Sequence, residues 1–529
     1  MSVSAPSTSA WAPLRLAAFR SLWLAVLASN VGTWMQTVGA QWLLVDQPGA
    51  ATLVALVQTA SMLPVLLLAL PAGALADTFD RRRLLVAVQC FLAATGILLT
   101  GLTAAGRMPP ALLLTLTFAI GVGQALTLPA WQAVIPELVP RDQLVSASAL
   151  GSISINLARA VGPAVAGVLV AQAGVAVVFG LNALSFAVFA VALLRWRPEH
   201  PGGDPMPERF TAALRAGGRY VRHSPVVRRI LLRAALFVVP GSALWALLPL
   251  VASRRLALGS SGYGVLLAAL GLGAVAGAVV LPRLRRLLSD SQLLLAAGLV
   301  FGGTLLVLAL VPRALPVTVA LVPAGMAWMT VMSSVNAAMQ LFLPAWVRAR
   351  GLSIYQMVFA GGQALGALAW GALGALAGLE AALVTAGVAM AVCASSVLLW
   401  PLRDTRGVNR EPAVYWPEPH LTLAAHPRTG PVVVTVAYTV PPERQGAFVE
   451  AMRAVGRSRR RTGAIRWGLF RAGEREHGFV EVYQVPSWEE HLRQHTGRLT
   501  GADRAAEERA RALVDGDPEV THLLPAAPD

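Results

Sequence analysis

Charged side chains inside apolar stretches are the residues of this sequence best suited to chemistry. Arg159 lies well inside the apolar stretch 144–172, where a charge costs roughly 3 kcal/mol in a lipid environment. Such a cation is expected to face an anionic small molecule or to pair with a carboxylate from another helix. The carboxylates Asp46, Asp77 and Glu380 lie only at the ends of apolar stretches.

Amide, hydroxyl, sulfur and aromatic side chains recur at helical spacing in several of these stretches. This mixture suits the binding of a large amphiphilic small molecule. It also suits amides that hold neighbouring helices together, and the spacing alone does not separate the two roles. The candidate residues are Asn30, Trp34, Thr37 and Gln41 in the first stretch, Thr117, Gln124 and Trp131 in the fourth, Trp245 in the seventh, Met329, Ser333, Asn336 and Gln340 in the tenth, and Gln356 in the eleventh.

The composition indicates which elements must position these side chains. The chain has 529 residues, of which 56% are hydrophobic and 13% charged, with a formal charge of +16. This apolar excess argues against disorder and against a nucleic-acid-binding surface, and two isolated cysteines exclude a disulfide scaffold. From Arg403 onward the sequence has 18 arginines and 17 acidic residues, so almost all of the positive charge belongs to the hydrophobic part.

About twelve apolar stretches are long enough to cross a bilayer as helices. Arginines cluster in alternate connections between them, which predicts that both termini lie in the cytoplasm and that the chain spans the bacterial cytoplasmic membrane. We therefore expect an all-α membrane protein of twelve transmembrane helices. The stretches are 19–45, 51–75, 84–105, 109–132, 144–172, 174–195, 226–252, 261–282, 290–312, 315–343, 351–377 and 380–401.

Two six-helix halves, 1–196 and 226–402, flank a polar segment, 197–225, and short motifs repeat between them. Leu-Pro-Ala-Trp occurs at 128–131 and again at 343–346. Gly73 and Asp77 precede an arginine cluster after the second stretch, and Gly162-Pro163 follows Arg159 in the fifth. This layout resembles the major facilitator superfamily, and in particular its secretion-effector branch of siderophore and macrolide exporters.

The resemblance implies a secondary transporter that exports a hydrophobic or amphiphilic small molecule, such as a drug, siderophore or secondary metabolite, by proton-driven alternating access. The substrate cavity would lie between the halves. Import and a membrane-anchored monooxygenase-like enzyme are the alternatives.

Asp46 and Asp77 are the candidate proton-coupling groups. The arginine and glutamine that the superfamily carries near positions 117 and 120 are missing. The gating residues implied are Asp77, Arg81, Arg82, Arg83, Arg159, Gly162 and Pro163.

The central segment 197–225 contains regularly spaced arginines. It is expected either to form an amphipathic helix on anionic membrane lipids or to be a solvated linker. A linker, 403–430, then leads to a C-terminal domain, 431–529.

Alternating β-branched residues predict strands at 432–440 and 479–485, and Ser487 is expected to cap one long helix. Residues 442–461 are expected to form a helix with Phe448, Met452 and Val455 on one apolar face. The patterns of residues 431–529 follow the order β-α-β-β-α-β, which predicts a cytoplasmic α+β ferredoxin-like domain.

The domain resembles the dimeric α+β barrels, which implies dimerisation through it. His491 and His495 are spaced to share a metal, but surface histidines are the simpler expectation. We expect no catalytic residue, metal, cofactor or nucleic-acid partner.

Overall fold

The computed structural model describes residues 11–197, 210–402, 409, 411, 413, 416, 419, 421–423 and 426–526. Within these ranges, the side chains outside the description are those of residues 70, 73, 74, 76–78, 141, 145, 152, 156, 160, 210–214, 345 and 349. The chain divides into two compact units, which are treated separately below. One consists of Met1–Pro207, Leu232–Val335 and Ile354–Pro401, and the other of Glu208–Leu231, Asn336–Ser353 and Leu402–Asp529.

The first half of the membrane body consists of six long helices that coincide with the first six predicted stretches. Asp80 caps the third of them by accepting a hydrogen bond from the backbone N–H of Arg83 at 2.8 Å. The helices are α1 (Ala17–Leu43), α2 (Ala50–Thr78), α3 (Arg81–Ala104), α4 (Pro110–Leu138), α5 (Leu144–Ala173) and α6 (Val175–Arg195).

The central segment contains one described helix, α7 (Phe210–His223), and the second half again consists of six helices. A π-helical turn, Val251–Arg255, extends the first of these. The six are α8 (Pro225–Leu250), α9 (Ser260–Leu287), α10 (Asp290–Leu310), α11 (Ala314–Phe342), α12 (Ala345–Ala377) and α13 (Leu379–Ser395).

Ten of the described helices are long and apolar enough to cross a membrane. The other two correspond to the first and last predicted stretches: α1, which carries many amide and hydroxyl side chains, and α13, which has 17 residues. The prediction of a mostly helical membrane body is therefore confirmed.

In each half, small residues allow the third and sixth helices to pack closely against each other. In the first half, an added Cβ at Gly96 of α3 would lie 2.9 Å from the Cβ of Ala183 on α6. In the second half, an added Cβ at Gly298 of α10 would lie 2.5 Å from the Cβ of Ala394 on α13. The third and sixth helices of each half thus pack through small side chains, as duplicated halves require.

The C-terminal part of the second unit forms a four-stranded antiparallel sheet in the order β2-β3-β1-β4. This is the strand order of a ferredoxin-like domain, so the predicted fold is confirmed. The elements are β1 (Val432–Thr439), α14 (Gln445–Thr462), β2 (Arg466–Arg471), β3 (Gly478–Val485), α15 (Trp488–Arg493), α16 (Gly501–Arg511) and β4 (Asp515–Leu523).

The core of this domain lies on one face of the sheet. Val432, Val434 and Val436 alternate toward it from β1 in one buried cluster, and the predicted apolar face of α14 belongs to a second one. We expected one long helix after Ser487. Ser487 does cap it, but a π-helical turn, Gln494–Arg498, and a new capping box at Thr500 divide it into α15 and α16.

Candidate functional site

The centre of the membrane body contains a cation that lies against aromatic rings. The guanidinium carbon of Arg159 on α5 lies 5.5 Å from the ring centroid of Trp34 on α1. Tyr355 of α12 lies within electrostatic range of the same group. The Nε atom of Arg159 is buried and has no hydrogen-bond partner in the part of the chain that the structure describes. Helices from both halves therefore converge on one incompletely satisfied guanidinium.

Aromatic side chains extend from this cation into the second half. The rings of Trp34 and Trp245 are 5.6 Å apart, and those of Trp245 and Trp328 are 5.5 Å apart. Trp328 contacts Phe237 in turn, at 5.6 Å. The Arg159 guanidinium thus lies at one end of a row of aromatic side chains. Together they would accommodate a molecule with an anionic group attached to a planar or apolar body.

The halves meet closely at the ends of α1, α5, α8 and α9 that the predicted topology places outside. The Gln41 side-chain amide donates to the backbone oxygen of Trp245 at 3.0 Å, and the Tyr263 hydroxyl donates to the Gln41 amide oxygen at 3.3 Å. At Gly167 of α5, an added Cβ would overlap the Cα of Gly264 on α9. Only glycine permits this approach.

Several predicted lining residues form hydrogen bonds between or within helices in this structure. Asn30 donates to the Ser154 hydroxyl at 3.2 Å, and Gln124 donates to the Thr33 hydroxyl at 3.0 Å. Thr37 donates to a backbone oxygen of its own helix. Asn30 and Gln124 therefore connect α1 with α5 and α4. The role of these residues in lining a substrate cavity stays a prediction.

The remaining lining candidates have different surroundings. Thr117 is buried and its hydroxyl has no described partner. Trp131 packs edge-on against Phe189 in the interior of the first half, with ring centroids 5.9 Å apart. In the second half, the side chains of Met329, Ser333 and Gln356 in the membrane body are partly buried, as is that of Asn336 in the second unit, whereas Gln340 is exposed.

The arginine cluster after α2 fastens three helices of the first half together. Arg81 forms an ion pair with Glu137 of α4 at 2.6 Å. Arg82 donates to the backbone oxygens of Leu193 and Leu194, at the end of α6, at 2.9 and 2.6 Å. The side chain of Asp77, another of the predicted gating residues, lies outside the described residues. The sequence does not indicate this role of Glu137, because nothing in its spacing connects it with Arg81.

Two other predicted residues have simple positions. An added Cβ at Gly162 would lie 2.7 Å from the Cβ of Trp34, so Gly162 allows α5 to approach α1 beside Arg159. Pro163 follows it inside α5. Asp46, the other proton-coupling candidate, is exposed just after α1. The proton-coupling assignments therefore stay predictions.

The C-terminal domain contains buried charges that the sequence did not reveal. Arg459 of α14 is 4% exposed and pairs with Glu481 of β3 and Glu507 of α16. Burial raises the pKa of Glu507 to about 7, although the Arg459 guanidinium opposes the shift. The carboxylates on β3 and α16 raise the pKa of Arg459 well above its usual value and so outweigh its burial.

The histidines of α15 and the π-helical turn after it are buried, contrary to the surface position expected. Burial, together with the neighbouring His495 and His522, lowers the pKa of His491 to about 3. The Nε2 atoms of His491 and His495 lie 3.3 Å apart. Among the residues that the structure describes, no group of His, Cys, Asp or Glu has the arrangement of a metal site.

Comparison with known protein families gives one match over nearly the whole chain. Residues 8–528 match the transmembrane secretion effector family. The match includes the C-terminal domain as well as the membrane body.

Curated relatives are similar over somewhat more than half of the chain. The chain is 25% identical to the staphyloferrin A transporter of Staphylococcus aureus (strain NCTC 8325 / PS 47) over 279 residues, which are 52% of this chain and 70% of the relative. It is 30% identical to the enterobactin exporter EntS of Escherichia coli O127:H6 over 317 residues, or 58% and 72% of the two chains.

Solved structures show the same fold at low sequence identity. A bacterial homologue of the human lysosomal transporter Spinster, in an inward-facing and unoccupied conformation, matches with a TM-score of 0.57 and 15% identity. The match covers 73% of this chain and 97% of that one. A point mutant of the nucleoside transporter NupG matches with a TM-score of 0.58 and 11% identity over 72% and 99% of the chains.

Proposed function

Because the chain belongs to the transmembrane secretion effector family of the major facilitator superfamily, we propose that it exports an anionic amphiphilic small molecule of the siderophore type. The family and the curated relatives are transporters, so the protein is a multi-pass secondary transporter of small molecules and not an enzyme. The direction of transport, the chemical class of the substrate and its coupling to protons belong to the proposal.

The observation that carries the proposal is the position of Arg159. An arginine inside a membrane helix is retained at a cost of roughly 3 kcal/mol, so a functional partner is expected. Its Nε atom lacks a described hydrogen-bond partner, and Trp34 and Tyr355 supply apolar and aromatic surface beside it. Siderophores bind iron through anionic oxygen atoms. A guanidinium fork recognises such oxygen atoms better than any other side chain does.

Export is favoured over import by the relatives whose names state a direction, since these are enterobactin exporters. Alternating access is supported by the contacts of Gln41 with Trp245 and of Gly167 with Gly264. They close the halves at the ends that the arginine distribution places outside the cytoplasmic membrane. Asp46 and Asp77 are proposed as the proton-coupling groups.

The experiment that tests this function replaces Arg159 in a cell that secretes a carboxylate siderophore. Arg159→Gln is expected to lower export by about tenfold or more, because a charge-assisted contact is worth more than about 1.4 kcal/mol. Arg159→Lys keeps the charge without the planar fork and is expected to retain part of the activity. The measurement is the siderophore released into the medium, normalised to the amount of protein in the membrane.

The matched control is Arg313→Gln, at an exposed arginine between α10 and α11. It is expected to export as the wild type does. Equal export by Arg159→Gln and the wild type would show that the proposed anion site is wrong. Faster export of an uncharged or cationic compound by Arg159→Gln, with siderophore export unchanged, would contradict the proposal as well.

A further inference from the structure

The C-terminal domain contains a cavity of about 370 Å³ that transport does not explain. It lies between the sheet and helices α14 and α16, and its walls include Val436, Met452, Val455, Tyr438 and Tyr483. Small-molecule sites in proteins usually have volumes of about 300–1,000 Å³ and apolar walls with a few polar groups. This cavity has the size and the lining of such a site.

Arg459 and Glu507 of the cavity wall belong to a buried charged cluster that also contains Glu481, behind the wall. Arg459 donates to Glu481 from Nε to Oε1 at 3.0 Å and from Nη2 to Oε2 at 3.2 Å. Its Nη1 group donates to Oε1 of Glu507. In this cluster of described residues, two carboxylates therefore share one guanidinium. The second arginine of the cavity wall, Arg511, forms an ion pair with Asp517 at the surface.

The two carboxylates differ in how completely their oxygen atoms are satisfied. A carboxylate offers about four acceptor positions. Glu481 fills four: two with Arg459, one with Trp467 at 2.8 Å and one with the Tyr438 hydroxyl at 3.0 Å. Glu507 has two described donors, Arg459 and the Trp416 indole N–H at 2.6 Å. The spare acceptor capacity therefore belongs to Glu507, which lines the cavity.

We propose that this cavity binds a small cationic amphiphile, an arylalkylamine whose ammonium group lies beside Glu507 and whose ring lies against Met452 and Val455. The ammonium would favour the ionised form of Glu507, in which the cluster has one more negative than positive charge, and would occupy acceptor positions that are otherwise desolvated. The Tyr438 ring in the cavity wall adds an electron-rich face that favours a cation. This site differs from the proposed transport site, where the Arg159 guanidinium would attract anions.

The test uses the full-length protein in detergent micelles and three ligands of one shape but different charge: tryptamine, tryptophol and indole-3-acetate. Isothermal titration calorimetry is expected to show saturable 1:1 binding of tryptamine. Tryptophol and indole-3-acetate are expected to bind about tenfold more weakly or worse, since neither supplies a cation to Glu507.

Glu507→Gln is expected to remove the preference for tryptamine over tryptophol. The domain should stay folded, because Arg459 keeps its two hydrogen bonds to Glu481. The control is Glu508→Gln, which alters the neighbouring, half-exposed carboxylate paired with Arg504. A second variant, Val520→Trp, places a large side chain at a half-exposed position of the cavity wall and should weaken both tryptamine and tryptophol.

Three results would overturn the inference. One is the absence of saturable tryptamine binding to the wild type. Another is tighter binding of indole-3-acetate than of tryptamine. The third is tryptamine binding that neither Glu507→Gln nor Val520→Trp changes, which would place the ligand elsewhere in the protein.

Discussion

Two arginines within the membrane helices show how surroundings separate a structural residue from a functional candidate. Arg233 of α8 donates to the Ser396 hydroxyl at 2.8 Å and to the backbone oxygens of Ser396 and Trp400 at 3.0 and 2.5 Å. It therefore satisfies the carbonyl groups that follow α13. Arg159 instead lies against Trp34. Both arginines lie within predicted stretches, so only the contacts assign them different roles.

His491 provides a prediction for the stability of the C-terminal domain. Its pKa is about 3 in the folded protein and ordinarily near 6.5, so the unfolded chain binds the proton more readily. The contribution of neutral His491 to the free energy of unfolding is therefore fully present above about pH 6.5 and is lost as the pH falls toward about 3. At pH 5 the loss is about 2 kcal/mol. Thermal melting between pH 7 and about pH 5 is the measurement.

His491→Gln is expected to melt with a smaller dependence on pH over this range than the wild type. His477→Gln, at an exposed turn between β2 and β3, is the control and should keep the full dependence. An unchanged pH dependence in His491→Gln would show that His491 does not exclude the proton in the folded state.

Pairs of helices bring together groups that are distant in the sequence. Arg81 and Arg82, at the start of α3, fasten the ends of α4 and α6. The arginine cluster therefore connects three helices of the first half, in addition to any role in membrane topology.

In the second unit, Tyr220 of α7 packs edge-on against Trp346, and the Arg461 guanidinium of α14 lies 5.7 Å from the Tyr220 ring.

The close approach of α5 and α9 predicts the effect of a larger side chain. Gly167→Leu is expected to lower transport by about tenfold or more, because its Cβ would overlap the Cα of Gly264 and would prevent closure of the halves. The measurement is siderophore export per molecule of membrane-inserted protein. Gly151→Leu is the control in the same helix, since an added Cβ there meets nothing within 4 Å. Similar activity in both variants would exclude a role for this contact.

The whole molecule has an uneven distribution of charge, and this predicts its orientation. Nearly all of the +16 charge belongs to the membrane body, with its arginines in alternate connections. By the positive-inside rule, we predict that both termini lie in the cytoplasm. The arginines of the cytoplasmic connections are then expected to contact anionic lipids.

Reporter fusions test this orientation. Alkaline phosphatase fused after Gly106, between α3 and α4, is expected to be active because that connection faces outward. The same enzyme fused after Asp529 is expected to be inactive, and green fluorescent protein fused there is expected to fluoresce. Active phosphatase at Asp529 would reverse the predicted topology.

The sequence by itself determined the elements of this protein. Long apolar stretches predict membrane helices, because each helix satisfies its own backbone hydrogen bonds within the bilayer. Alternating β-branched residues predicted the strands around Val432 and Val485, and Ser487 marked a helix start. These signals are local, since each depends on residues within one or two helical turns.

Only the tertiary structure decided which side chains meet. Arg159 lies beside Trp34 and near Tyr355, although these residues come from three helices. Glu507 meets Arg459 across 48 positions of sequence. The contacts of Arg159 and Glu507 depend on how helices and strands pack against each other. Periodicity and composition do not determine this packing. The predicted elements therefore agree closely with the structure, and the sequence alone marked Arg159 as a candidate. The aromatic neighbours of Arg159 and the cavity beside Glu507 depend on contacts between residues that are distant in the sequence.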